Sequence, residues 1–323
     1  MRQGHTSESS VLVTGGAGFI GSHLVEELIA RGREVTVLDN LSSGRIENLL
    51  TSNKVKFVQG DVRDLSLVEE LVKHSNVVFH LAEFIPNTDQ YGIGHITKYS
   101  MSEPLLDFDN SARGSLNVLE SARKGDAKVV FASTAAVYGE PLQRPINENA
   151  PTNPVSPYGA SKLCGEVYAN LYNRIYGLKT VVARLFNVYG PRQRKYVMYD
   201  VLEKLRKYPS KLIIAGSGKQ ERDFIYVGDT VKALIHLGAN DTACGQTFNI
   251  GTGKGTSILE LVTLITRTLK LYPEIEYTGT SWKGDIQRLI ADTGKLDNTG
   301  FVREFDLTNG FLRLLGWFQS STH

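Results

Sequence analysis

Thr14-Gly-Gly-Ala-Gly-Phe-Ile-Gly21 is the stretch on which the reading of this 323-residue chain turns. It starts on the last residue of the β-branched run Val11-Leu-Val-Thr14 and leads into the amphipathic stretch 20–30, so the glycines fall between a predicted strand and a predicted helix. Gly15 and Gly16 permit a tight turn, Gly18 lets the backbone approach a pyrophosphate, and Gly21 lets the helix pack against the strand. Phe19 and Ile20 open that helix, whose N-terminus faces the anion. Asp39, closing the next run Val35-Thr-Val-Leu38, can accept both hydroxyls of a ribose and would repel an added phosphate, which points to NAD over NADP. Asp61 and Val62, after a third run at 55–58, fall where the adenine end should lie. A glycine cluster alone would be an ordinary strand-to-helix turn; strand, glycines, helix and acid in register make it a cofactor loop.

Outward from this loop the strand–helix alternation continues through Val77-Val-Phe79, a helical stretch at 105–123, Val129-Val-Phe131, a helix at 158–176 and Thr180-Val-Val-Ala183. Near-continuous apolar strands belong in a parallel sheet covered on both faces. The fold class is therefore α/β: a Rossmann-type doubly wound parallel sheet over residues 1–185, with a smaller mixed α/β substrate-binding domain over 186–323, interleaved with late Rossmann elements. In that second part the runs 212–214, 248–250 and 275–277 read as short strands and 198–207 and 258–271 as helices. The proline-rich stretch 141–157 reads as a long loop of the functional kind. Gly216-Ser-Gly-Lys-Gln220 and Gly251-Thr-Gly-Lys-Gly255 lack the spacing and the hydroxyl of a phosphate loop and read as turns; Ser257 and Glu260 make a capping box.

Composition narrows the function. With 36 basic and 34 acidic residues the formal charge is +2, which leaves no electrostatic footprint for nucleic acid or an anionic membrane. Cys164 and Cys244 stand far apart, so neither a disulfide framework nor a cysteine metal site is expected, and a reducing cytoplasm fits. No run approaches the roughly 18 apolar residues of a membrane helix, and the polar start lacks a signal peptide's apolar stretch. His74, His80 and His95 are not paired at ligand spacing, so no metal is expected.

Ser156-Pro-Tyr-Gly-Ala-Ser-Lys162 opens the helix at 158–176, with Ser156 as N-cap and Pro157 in the first turn. Tyr158 and Lys162, four apart, share a face. A phenol ionises near pH 10 and is a poor base at neutral pH unless a cation favours the phenolate, and Lys162 can be that cation. Ser133 and Thr134 follow the fifth strand at its carboxyl end, where open α/β sheets bind ligands, and one of the two should hydrogen-bond the substrate hydroxyl.

Taken in order, Thr14-Gly-x-x-Gly-x-x-Gly21, Asp39-Asn40, Asp61-Val62, His80-Leu-Ala82, Ser133-Thr134, Tyr158-x-x-x-Lys162, Arg184-x-Phe-Asn187, Tyr189-Gly-Pro-Arg192 and Arg222-Asp223 resemble the extended short-chain dehydrogenase/reductase family, in particular its nucleotide-sugar epimerases of the UDP-glucose 4-epimerase kind. The resemblance implies that Tyr158 is the acid/base, that Lys162 lowers its pKa and holds the ribose, and that Thr134 orients the sugar hydroxyl. It further implies cofactor contacts from Asn40, Leu81, Ala82 and Ser133, and substrate contacts from Asn187, Arg222 and Asp285, with Arg222 clamping the diphosphate of a UDP-sugar. It also implies a homodimer through the helices at 105–123 and 158–176.

Where the chain departs from the family pattern, the reading sharpens. Ala135-Ala136 stands where the 4,6-dehydratases carry an Asp-Glu pair, which disfavours loss of water. The expected activity is thus reversible C4 epimerisation of a UDP-hexose, with a net oxidoreductase, a 4,6-dehydratase or a non-catalytic NAD sensor as alternatives. Glu83 stands where the family usually has Ala, and its role is open. Lys283 stands near the place where the family usually has a second phosphate-binding Arg, with its replacement of that Arg left open, and Leu289 falls where a side chain gates room for an N-acetyl group.

Overall fold

The computed structural model describes residues 10–49, 52–83, 96–280 and 286–321. In chain order the first half runs β1 (Val11–Thr14), α1 (Phe19–Ala30), β2 (Val35–Asp39), β3 (Val55–Gln59), α2 (Leu65–Lys73), β4 (Val77–His80), α3 (Ile96–Ser102), α4 (Pro104–Phe108), α5 (Gly114–Gly125), β5 (Lys128–Thr134), α6 (Pro157–Tyr176) and β6 (Thr180–Leu185). The second half runs β7 (Asn187–Tyr189), α7 (Tyr196–Lys207), β8 (Lys211–Ile214), β9 (Glu221–Tyr226), α8 (Val227–Ala239), β10 (Gln246–Ile250), β11 (Gly255–Ser257), α9 (Ile258–Leu269), β12 (Glu274–Tyr277), β13 (Arg288–Leu289), α10 (Gly294–Asp297) and α11 (Leu307–Ser320).

Seven strands form one parallel sheet in the order β10-β6-β5-β4-β1-β2-β3. The chain winds outward from β1 to β3, then returns to β4 on the other flank of β1, so the sheet is doubly wound and its direction reverses beside β1. Side chains alternate across the sheet. Val11 and Val13 of β1 pack with Leu24, Val25 and Leu28 of α1 on one face, whereas Leu12 packs with residues of α2, α5 and α6 on the other. Burial on both faces is why the interiors of the central strands, Leu12-Val13 of β1 and Val129-Val-Phe131 of β5, are apolar.

Two expectations need correction. The run 248–250, grouped by sequence with the short strands of the second half, lies in the large sheet as β10, with Phe248 opposite Ala183 of β6. Phe248 and Ile250 are buried there, and β6 offers β10 its parallel partner. The stretch 105–123 is also not one regular helix: α4 gives way to a π-helical turn at Asp109–Arg113 before α5 begins. Gly114 follows that turn, and a Cβ there would stand 2.7 Å from the Val62 side chain, so the helix passes the adenine-end segment closely.

The smaller sheet is built on β9, flanked by β7 and β13 in parallel and β11 antiparallel, while β8 and β12 pair separately. Ser257 caps α9 with the reciprocal Glu260 bond expected of a capping box. No described helix is long and apolar enough to cross a membrane.

Candidate functional site

The carboxyl ends of β1, β2, β3, β4, β5 and β6 open into one cavity of about 410 Å³ at the point where the strand order reverses. Gly15, Gly18, Phe19, Ile20, Gly21, Asp39, Asn40, Asp61, Val62, Leu81, Ala82, Ser133, Thr134, Tyr158, Lys162, Asn187 and Arg222 all line it. Asp285 and Lys283 lie outside the described residues.

At one end the glycines do what a dinucleotide demands. Gly15 has φ +72°, and a Cβ on it would stand 2.8 Å from the Ala82 backbone. A Cβ on Gly21 would stand 2.1 Å from the Gly15 carbonyl oxygen, so only glycine lets α1 start against the turn. Gly18, the N-cap of α1, supplies no side-chain cap, which leaves the first-turn N–H groups directed at the cavity for an anion. The Asp39 carboxylate accepts the N–H groups of Ala17 at 2.9 Å and Leu41 at 2.8 Å. Each oxygen keeps a second lone pair, and the pair of oxygens can still accept two ribose hydroxyls. Burial raises the Asp39 pKa, opposed by these two bonds. Asp61 is gripped by the Arg63 guanidinium at 2.9 and 2.8 Å, which holds its carboxyl at about 2, and it accepts from Asn40 at 2.9 Å.

At the other end α6 begins as expected, with Ser156 accepting the Gly159 N–H at 3.2 Å and Pro157 in the first turn. Tyr158 and Lys162 sit one turn apart. The Thr134 hydroxyl accepts the Ala136 N–H at 3.2 Å, leaving its own hydrogen for the Tyr158 phenol, to which it is hydrogen-bonded. Ser133 takes no such part: its hydroxyl donates to Glu166 at 2.5 Å, and Glu166 in turn grips the buried Arg184 at 2.7 Å. Strand alternation explains the choice, because adjacent residues of β5 point to opposite faces.

Lys162 is 3% exposed, with its ammonium 4.9 Å from the Phe131 ring centroid and 3.3 Å from Glu83. Burial pushes the Tyr158 phenol well above its ordinary value, and Glu83 adds to the push. The lowering expected from Lys162 is therefore met by an opposing carboxylate. His80 is held between Thr14 at 2.7 Å and Ser115 at 3.0 Å, and burial brings it down to about 3, so it is a neutral strut.

Asn187 lines the cavity and has a buried Oδ1 that lacks a hydrogen-bond partner among the described residues. Arg222 faces the cavity, with Nη1 also donating to the Glu221 carbonyl at 3.0 Å. Its neighbour Asp223 points the other way, fully buried, and accepts N–H groups from Thr252, Gly253 and Ala291. The Gly251-Thr-Gly-Lys-Gly255 loop thus wraps a carboxylate, the opposite of a phosphate site. Leu289 lines the cavity beside Phe186, and Ala135 and Ala136 lie just past Thr134.

Sequence reasoning missed Lys195 and Tyr196, which line the cavity from the N-cap and first residue of α7. Burial brings the Lys195 ammonium down to about 8, and Tyr196, with φ +72°, is pushed up to about 12. Their signal was adjacency to Tyr189-Gly-Pro-Arg192. That loop is tied to α1 through Arg192 and Glu26 and through His23, 2.9 Å from the Pro191 carbonyl.

The model of the NAD dependent epimerase/dehydratase family matches residues 11–251. Over 319 residues the chain is 40% identical to a protein of Methanocaldococcus jannaschii provisionally named a UDP-glucose 4-epimerase, covering 96% of this chain and 99% of that one. The structure of UDP-glucose 4-epimerase with UDP-glucose from Thermotoga maritima superposes with a TM-score of 0.88 at 34% identity, over 97% and 100% of the two chains. That of UDP-N-acetylglucosamine 4-epimerase from Methanobrevibacter ruminantium, in complex with UDP-N-acetylmuramic acid, gives 0.88 at 33%, over 98% and 99%. Solved NDP-hexosamine 5,6-dehydratase and dTDP-glucose 4,6-dehydratase structures are similar as well. The cofactor is NAD, and the glycine cradle, the open helix N-terminus and Asp39 have the donor and acceptor set to fit it.

Proposed function

Because the chain belongs to the NAD dependent epimerase/dehydratase family, we propose that it catalyses reversible inversion at carbon 4 of a UDP-hexose of the glucose/galactose type through a 4-keto sugar. The observation that carries the reading is the Thr134–Tyr158 hydrogen bond one helical turn from Lys162, with Ala135 and Ala136 where an eliminating acid and base would be needed. Tyr158 takes the proton of the 4-hydroxyl, which Thr134 orients. NAD, when bound, supplies the acceptor for the carbon 4 hydride and the donor that returns it. The keto sugar turns within the cavity before Tyr158 gives the proton back, so atoms and electrons balance with no net oxidation. Arg222 pairs with the diphosphate, where a guanidinium matches phosphate oxygens bidentately, and Asn187 offers its open oxygen to the substrate. Glu83, the carboxylate nearest the pair, is engaged by Lys162 and Ser111 and is not placed as an eliminating base.

Two copies joined through the helical stretch at 105–123, which holds α4 and most of α5, and through α6 complete the proposal. Those helices pack together and leave Leu105, Phe108, Val167, Ile175 and Tyr176 exposed.

The test is a panel of nucleotide sugars incubated with the NAD-loaded enzyme and resolved by NMR. UDP-galactose is expected to give UDP-glucose, and Tyr158→Phe to lose about 10²- to 10⁴-fold in rate. Leu289 is of middling size, so some turnover of UDP-N-acetylglucosamine is also expected. A 6-deoxy-4-keto product, net reduction of free NAD, or wild type and Tyr158→Phe behaving alike would overturn the reading.

A further inference from the structure

Glu83 is the carboxylate for which the family pattern has no place, and the structure gives it two fixed partners. It lies 3.3 Å from the Lys162 ammonium, and its other oxygen accepts the Ser111 hydroxyl. Ser111 comes from the π-helical turn between α4 and α5, and a widened turn of this kind in an otherwise regular helix commonly marks a functional position. Glu83 itself is almost fully buried, its side chain 9% exposed, and so is Lys162. Nothing in packing asks for a carboxylate here, because burying a charge is costly without a counter-charge.

We propose that Glu83 is a positioning residue, the fixed counter-ion of Lys162, and that through this ion pair it sets the pH at which Tyr158 can act as a base. The inference rests on the reading of Tyr158 as the base. An isolated ammonium beside a phenol favours the phenolate. An ammonium neutralised at 3.3 Å presents only a dipole, so ionising the phenol takes a higher pH. The other groups around the pair act on the phenol less than Glu83 does. His80 of β4 is neutral above about pH 3 and Tyr196 at the start of α7 ionises only at about 12. Thr134 is uncharged. Asp107 of α4 reaches α6 through Ser161 at 2.7 Å, and burial raises its carboxyl to about 6, so it adds to the negative charge above that pH. Glu83 is the one carboxylate in ion-pair contact with Lys162 among the described residues.

The experiment is an ultraviolet titration of phenolate in the NAD-loaded enzyme, read as the difference between each protein and the same protein carrying Tyr158→Phe. Glu83→Gln keeps the shape and an oxygen for Ser111 while removing the charge. It is expected to move the Tyr158 titration, and with it the acid limb of kcat/KM, downward by roughly one pH unit. Ser111→Ala leaves the charge but frees its carboxylate from the anchor, so a smaller shift in the same direction is expected; it carries the test if Glu83→Gln does not fold. A Tyr158 titration that coincides with the parent, or is absent from parent and variant alike, overturns the proposal. Because phenolate forms without turnover, this outcome is separate from the fate of the sugar panel.

Discussion

Arg222 and Asp223 show how far one residue's register decides its role. They are neighbours in β9, which puts one guanidinium into the cavity and one carboxylate into the loop at 251–253. Removing Asp223 strips the N–H groups of Thr252, Gly253 and Ala291 of their acceptor. Asp223→Ala should therefore cost about 3 kcal/mol or more in unfolding free energy, as hydrogen bonds to a buried charge do. Arg222→Ala should leave the melting temperature nearly unchanged and raise KM for the UDP-sugar about tenfold or more. Denaturant unfolding and steady-state kinetics on the two variants separate the roles, and equal loss of stability in both would contradict this assignment. Thr134 and Ser133 repeat the lesson: the pair was visible in the sequence, but which hydroxyl meets Tyr158 depends on which face of β5 it occupies.

At the scale of elements, His80 ties β1 and β4 to α5 through Thr14 and Ser115. Its folded pKa of about 3 lies below the ordinary 6.5, so between those values the unfolded chain binds a proton that the folded imidazole refuses. The stability it contributes is complete above pH 6.5 and is lost as pH falls toward 3. The slope is about 1.4 kcal/mol per pH unit over that window. Urea unfolding at pH 7.5 and 5.5 should show this loss in the parent and a smaller one in His80→Asn, which hydrogen-bonds without titrating. Identical slopes would place the proton uptake elsewhere. The glycine turn and the start of α6 were legible at this scale because caps and tight turns are local. The break between α4 and α5 was not, since a π-helical turn carries no local residue signature and here answers to contacts made far along the chain.

Across the whole molecule, the cavity is bounded by the carboxyl ends of six strands and by residues up to Leu289, so no short segment contains it. The exposed apolar residues of α4 and α6 are a property of the same scale. If they meet a second copy, sedimentation should find a dimer, and Val167→Asp with Ile175→Asp should give a folded monomer; a parent that is monomeric at micromolar concentration would exclude this interface. The strand β10 belongs here too. Its assignment to the large sheet could not be read from 248–250, because Phe248 and Ile250 specify that they must be buried but not which neighbours bury them.

By itself the sequence determined what local chemistry controls: the turn at Gly15, the N-cap at Ser156, the side-by-side placement of Tyr158 and Lys162, the acid at Asp39, and the missing carboxylates at Ala135 and Ala136. These follow from backbone sterics, helical periodicity and the identity of the groups present. Only the tertiary structure decided that Thr134 and not Ser133 reaches the phenol, that Asp223 holds a loop, that β10 joins the large sheet, and that Glu83 faces Lys162. Each of those depends on elements remote in sequence meeting across a buried space, where burial and a single charge at 3.3 Å outweigh any propensity of the residues involved.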